Sequence, residues 1–350
     1  MRKVVVAMSG GIDSSVTALI LKNQGYEVTG ITLRMFRDSS IKCCGSEDSI
    51  EKFKKICNYI GIKYYVKDAT SVFKKYVMDN FVENYLSAMT PNPCIECNRY
   101  VKFDYLLEIA KSMDSKLATG HYAIIEKNGN EFVLKRGVDS QKDQSYFLYP
   151  IKRDELKNII LPLGGLKKVE VKKIARENKL PIDLNKESRD ICFIPEGNYY
   201  LWLKKNGYIK NIQGYFKDKK GNIIGTHKGY YKYTIGQRKG LGVSSAHGLY
   251  VVDINPYKNE VVVGELKDSY KSKVLCSDLN WLCEKEPSDG DSLFAQVRYR
   301  HKPAKGLIKY IDNNVFFEFE KPQFALTPGQ SIVFYDGDRV TGGGAIAKVL

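Results

Sequence analysis

The chain has 350 residues, 43% hydrophobic and 27% charged, with 55 lysines and arginines against 40 acids and a formal charge of +15. That length and balance exclude a single small domain or an unfolded chain, so two or three domains with sizeable cores are expected. No apolar run, Val4–Met8 included, is long enough for a membrane span or a signal core, so the expectation is a cytoplasmic protein whose eight cysteines stay mostly reduced and build no disulfide scaffold.

The basic surplus fits a polyanionic partner, because each neutralised phosphate releases a counterion; Lys-rich coding would give the same total. Along the chain, Val4 to Ala7 form a β-branched run suited to a buried parallel strand. A glycine loop follows. Val16, Leu19 and Ile20 then mark one helical face, with Gly25 where a C-cap glycine belongs. Val28 to Leu33 reads as a second strand. Ile50, Phe53, Cys57 and Ile60 recur at helical spacing up to Gly61, and Ile62 to Val66 gives a third strand. Phe73, Val77, Phe81 and Tyr85 stripe another helix, and Leu117-Ala118-Thr119 is a strand that ends at Gly120.

This alternation predicts an α/β fold over residues 1–204, a doubly wound parallel sheet covered on both faces. After about residue 205 glycine becomes frequent and tyrosines interleave with lysines, which predicts a small turn-rich central domain over 205–267. Over 268–350, runs such as Leu293–Val297 and Asn314–Phe319 alternate with turn signals at Asp289-Gly290, Asp312-Asn313-Asn314 and Asp336-Gly337. Those predict a closing C-terminal β-barrel, with a sandwich as the alternative.

Ser9-Gly10-Gly11-Ile12-Asp13-Ser14-Ser15 lies between the first strand and the first helix. A helix start presents unpaired N–H groups and a positive dipole end, and paired glycines let the backbone approach a phosphate. Asp13 is an anion where phosphates should bind, which makes sense if it holds Mg²⁺. A glycine-rich turn with serine caps is the bland reading of such a string.

Pro91-Asn92-Pro93-Cys94-Ile95-Glu96-Cys97 is a proline-fixed loop able to present a thiol, with Arg99 close behind, and Ser188-Arg189-Asp190-Ile191-Cys192 carries a distant partner. Neighbouring cations such as Arg99 and Arg189 would favour thiolates. Cys192 also reads as a buried apolar cysteine, and Cys94 with Cys97 as half a zinc site or a redox pair. Cys57, Cys276 and Cys283 read as packing, and Cys43-Cys44 has no interpretable spacing.

The loop at the start of the chain resembles the PP-loop of the ATP pyrophosphatases. PNPCIECNRYVKF, ATGHY (Ala118–Tyr122), KDQSYFL (Lys142–Leu148), SRDICFIPEGNY, YTIGQRKGLG, VRYRHKPA and TPGQSIVFY follow it in order. Together they resemble the tRNA-specific 2-thiouridylases of the MnmA type over nearly the whole chain. The resemblance implies ATP-dependent thiolation of C2 of the wobble uridine, position 34, in tRNAs for Lys, Glu and Gln, with sulfur from a persulfide donor, either a cysteine desulfurase or a relay protein. It places ATP on Ala7, Met8, Ser9, Gly10, Gly11, Ile12, Asp13, Ser14, Met35 and Gly120. It makes Cys97 and Cys192 the catalytic pair, Cys192 bearing the persulfide and the two ending as a disulfide. It assigns tRNA contacts to His121, Lys142, Asp143, Gln144, Arg298, Tyr299 and Gln330. Cys94 stands where some members carry Asp, an acid/base candidate. Three thiolates, Cys94, Cys97 and Cys192, leave an iron–sulfur cluster open as an alternative. Lys102 and Asp104 receive no role.

Overall fold

The computed structural model describes residues 2–36, 45–185, 191–194, 197–243 and 248–350. Strand β1 (Lys3–Ala7) lies at the centre of a five-stranded parallel sheet with β2 (Glu27–Arg34), β3 (Lys63–Asp68), β4 (Lys116–Ala118) and β7 (Ile159–Ile160), in the order β3-β2-β1-β4-β7. Val4, Val5 and Val6 are fully buried, yet they feed two different cores because strand side chains alternate. Val4 and Val6 meet Val16 and Leu21 of helix α1 (Ile12–Asn23), Phe53 of α2 (Glu47–Ile60) and Val171 of the helix Lys168–Glu177. Val5 meets Phe73, Val77 and Phe81, and Val101 and Phe103, which belong to continuous helical stretches over 70–86 and 93–112. Each valine buried this way contributes about 1.5–3 kcal/mol relative to exposure.

Both of those stretches contain wide π-type turns, Lys74–Asp79 and Cys97–Leu106. Such turns are rare and recur at functional sites. Gly61 closes α2 with φ +70, the left-handed conformation a C-cap glycine supplies.

The central segment forms a four-stranded sheet from Gly214–Lys217, Ile223–His227, Tyr250–Asn255 and Glu260–Gly264 around Phe216, Val251, Val261 and Val263. The C-terminal strands Tyr270–Trp281, Asn314–Phe324, Ala304–Ile311, Ser292–Gln296, Ser331–Asp336 and Arg339–Val349 pair antiparallel in that order, and the last pairs back to the first. That closes a six-stranded barrel. Closure satisfies both edges of the sheet, which settles the choice against a sandwich.

One hairpin departs from the sequence reading. Strands β5 (Ala123–Asn128) and β6 (Glu131–Arg136), turned at Gly129, leave the nucleotide sheet and extend the barrel sheet through Leu134↔Val340 and Lys135↔Arg339. No strand is expected there from the sequence. The hairpin is short, and it pairs with a strand some 200 residues downstream in sequence, so its local pattern carries little signal.

Candidate active site

At the carboxyl end of β1 the chain turns through Ser9 and Gly10, the latter at φ +78, into α1. Gly11 is the N-cap and makes no side-chain cap, whereas Ser46 caps α2 by accepting from Ser49 N–H. The first turn of α1 therefore keeps its N–H groups for an outside anion. Ser14 Oγ and Ser15 Oγ donate to Gly11 O at 3.1 and 2.8 Å, and Ser9 N–H donates to Ser14 Oγ at 3.3 Å, which fixes the loop. Ala7 and Met35 border the core beside it, half-buried, Met8 is buried, and Ile12 anchors the helix in the core. The uncapped helix start suits an anion such as a phosphate.

Asp13 does not fit the Mg²⁺ expected of it. Lys168 Nζ donates to both carboxylate oxygens at 2.7 and 2.8 Å, and Tyr122 OH donates to Oδ1 at 2.6 Å. The anion that called for a metal is already neutralised by a lysine 155 residues away. Nor do Cys94, Cys97 and Cys192 fit a cluster: among the described residues no three His, Cys, Asp or Glu side chains gather as a metal-binding group.

Gly120 touches this loop directly. A Cβ there would stand 2.8 Å from the Asp13 carbonyl carbon and 2.9 Å from Ser14 N. The next residue, His121, is buried. Its Nδ1 lies 2.6 Å from Thr119 Oγ1 and its Nε2 lies 3.4 Å from Lys102 Nζ. An ammonium only donates, so Nε2 accepts and the ring proton sits on Nδ1, toward Thr119. Burial first, and the Lys102 charge second, hold the imidazole well below its ordinary pKa, so it is neutral. Lys102 also donates to Asn98 Oδ1 at 2.9 Å, and Asn98 Nδ2 donates to Phe147 O at 2.9 Å. Asn98 follows Cys97. A continuous chain of contacts thus runs from the phosphate loop to Asn98, on the helical stretch 93–112 that carries Cys97.

The thiols sort by environment. Cys57 and Cys276 are pushed up to about 12 by burial, and Cys283, also raised by burial, donates to Thr341 O at 3.4 Å; all three pack. Cys94 is exposed, and Cys97 and Cys192 are half-buried. Cys97, Cys192 and Met35 all border the same hydrophobic cluster. Phe193, beside Cys192, packs edge-on against Phe73 and Phe81 at 5.8 and 5.3 Å, and Phe36, beside Met35, meets Phe73 at 5.0 Å. Helix 70–86 joins the two segments. Arg99 is directed at Tyr149, Glu96 and Tyr100. Glu96 is raised by its burial, with Arg99 opposing and Asp278 adding. Arg189, Cys43 and Cys44 lie outside the described residues.

The residues expected to touch RNA divide in two. Lys142 and Tyr299 are half-exposed, and the Tyr299 ring lies tilted against Phe147 at 4.5 Å, with the exposed Arg300 5.7 Å from its ring. Asp143, by contrast, is 8% exposed and accepts from Arg136, Gly137 N–H and Ser145, so its carboxylate holds the chain itself. Gln144 pairs with the Tyr122 backbone through its N–H and its Oε1, at 2.8 and 3.0 Å. Arg298 clamps Ala325 O and Thr327 Oγ1, both at 2.7 Å. Gln330 Nε2 donates to Thr90 O at 2.9 Å, and Thr90 N–H donates to Pro328 O at 2.8 Å. The barrel thereby grips the loop that leads into Cys94 and Cys97. Lys168, Lys102 and Arg300 escaped the sequence reading, for a surface lysine and a buried one look alike in sequence.

An anion-binding loop at the carboxyl edge of a doubly wound sheet, joined to a second small sheet and a closed barrel, defines an ATP-using PP-loop enzyme. A family model described as tRNA methyl transferase HUP domain matches residues 2–196, with a tRNA methyl transferase PRC-barrel domain over 203–265 and an aminomethyltransferase beta-barrel domain over 271–346. The chain is 42% identical over 355 residues to tRNA-specific 2-thiouridylase MnmA 2 of Clostridium botulinum (strain Okra), covering 99% of each. It is 40% identical over 358 residues to tRNA-specific 2-thiouridylase MnmA of Clostridioides difficile (strain 630), covering 100% of this chain and 99% of the other. The chain belongs to the family of tRNA-specific 2-thiouridylases of the MnmA type. Solved structures superpose loosely: NMN synthetase from Francisella tularensis at TM-score 0.38 and 16% identity, over 58% of this chain and 72% of that one. The U34-tRNA thiolase NcsA from Methanococcus maripaludis with its [4Fe-4S] cluster follows at 0.36 and 20%, over 59% and 66%. These two bear on neither function nor cofactor.

Proposed function

We propose that this chain is a tRNA sulfurtransferase that replaces O2 of the wobble uridine, U34, with sulfur in tRNAs for Lys, Glu and Gln. O2 attacks the α-phosphorus of ATP, pyrophosphate leaves, and N3 gives up its proton. The terminal sulfur of a persulfide on Cys192 bonds to C2, and AMP leaves with the former O2 and its electron pair. Cys97 thiolate then attacks the Cys192 sulfur, which releases the 2-thio base and leaves a Cys97–Cys192 disulfide for a thiol reductant. N3 regains a proton. A donor protein restores the persulfide.

The observation that carries the reading is the contact path Asp13–Gly120–His121–Lys102–Asn98, which ends beside Cys97. It links the phosphate loop to the residue after Cys97, and Cys97 and Cys192 border one hydrophobic cluster, which supports a shared site for nucleotide and thiols. Lys142, Tyr299 and Arg300 suit stacking on an unpaired base and gripping phosphates. Asp143, Gln144, Arg298 and Gln330 position them. No step requires a metal at Asp13 or a cluster on the three thiols.

The test is reconstituted thiolation with ATP, tRNA and a protein persulfide donor, read by mass spectrometry of nucleosides. Cys97→Ala and Cys192→Ala should each abolish 2-thiouridine while tRNA binding persists. Full turnover by Cys192→Ala would sink the two-thiol mechanism, and absence of 2-thiouridine with wild type would sink the activity.

A further inference from the structure

Lys102 is a half-buried cation whose two partners, Asn98 and His121, are both neutral. Two neighbouring cations have anions: Lys168 has Asp13, and Arg99 has Glu96. Even Asp104, two residues along, is paired with Lys152 at 3.2 Å. Among the described residues no carboxylate pairs with Lys102, and of its three hydrogens only two have partners. Withdrawing an ammonium from water without a counter-charge is unfavourable, so a fold that does so leaves room for an anionic ligand.

The two bonds locate that ligand. One is donated to Asn98, the residue after Cys97; the other is donated to His121, whose neighbour Gly120 lies against the phosphate loop. The ammonium is thereby tied both to the strand end that meets the phosphate loop and to the helical stretch that carries Cys97. Resting on the thiolation reading above, we propose that Lys102 is a catalytic residue of the sulfur-transfer step, its third hydrogen donated to the phosphoryl oxygens of the departing AMP. As sulfur bonds to C2, the C2–O bond breaks and its electron pair moves onto oxygen. Lys102 transfers no proton; it stabilises the charge where it develops. The neutral His121 holds the ammonium in place without sharing its charge.

The experiment is a single turnover of persulfide-loaded enzyme with tRNA and ATP, following pyrophosphate release and 2-thiouridine separately. In Lys102→Met the pyrophosphate burst should stay within about threefold of wild type, while 2-thiouridine slows on the order of a hundredfold and adenylated tRNA accumulates. Lys102→Arg, which keeps the charge, should recover to within about tenfold of wild type. Equal loss of both signals in Lys102→Met would show that the residue serves the nucleotide or the fold, and overturns the proposal; so does thiolation at the wild-type rate. If Lys102→Met fails to fold, Lys102→Gln, which still donates to Asn98, carries the same comparison. A wild-type enzyme that releases pyrophosphate yet makes no 2-thiouridine would instead overturn the thiolation reading itself.

Discussion

Replacing Gly120 with alanine adds one methyl group where β4 meets the phosphate loop. The Gly120 backbone lies outside the left-handed region, so alanine can adopt it, and only space is at issue. The new Cβ would lie 2.8 Å from the Asp13 carbonyl carbon, about 0.6 Å inside the 3.4 Å at which ordinary contact begins. The obstructing atoms are backbone and cannot rotate aside. Overpacking of this kind costs about 1–3 kcal/mol, offset by about 0.4–1 kcal/mol from a stiffer unfolded chain. A net destabilisation on the order of 1 kcal/mol is expected. Function should suffer more. A misplacement of about 1 Å costs on the order of a hundredfold, so a half-ångström shift of the loop should lower kcat/KM for ATP about tenfold or more. The assay is tRNA-dependent AMP release at varied ATP, with tRNA binding as the control that should not move. Activity within twofold of wild type would refute the claim that close approach at Gly120 sets the loop.

Lys168→Met leaves Asp13 without its counter-charge; with the lysine side chain 12% exposed and the carboxylate 34% exposed, a loss of about 1–2 kcal/mol is expected in denaturant melts. Adding Asp13→Asn should restore most of it, and strictly additive losses would show that the pair is not coupled. His121 stays neutral in the folded state, with its pKa well below the ordinary 6.5, so as pH falls below 6.5 only the unfolded chain takes up the proton. Stability attributable to this group is therefore complete above about pH 6.5 and declines by up to about 1.4 kcal/mol per pH unit below it. His121→Gln should flatten that part of the stability curve between about pH 6.5 and 5; parallel curves for the two proteins would contradict the neutral, buried imidazole.

Much of the fold is written locally. Val4–Ala7, the stripes on α1 and α2 and the turns at Gly290 and Gly337 each follow from periodicity or backbone freedom within a few residues. The phosphate loop was legible for the same reason: strand, paired glycines and helix start are contiguous. Cys57, Cys276 and Cys283 carry no interpretable spacing in the sequence, and burial raises all three thiols in the fold.

What the sequence could not supply is which distant charges meet. Asp13 reads as a metal ligand until packing of Lys168–Glu177 on α1 brings an ammonium 2.7 Å from it. Asp143 stands among the RNA contacts that the resemblance implies, and in the fold it is buried and accepts from Arg136 of the hairpin that joins the barrel sheet. Lys102 meets His121 only when β4 comes to lie beside the helical stretch 93–112. Secondary structure depends on residues three or four positions apart, whereas a carboxylate's partner and a lysine's surroundings are set by how separate elements pack, as when Lys168 reaches Asp13 from 155 residues away. The local code of this chain therefore specified the loop and the thiols, and tertiary packing decided their electrostatics.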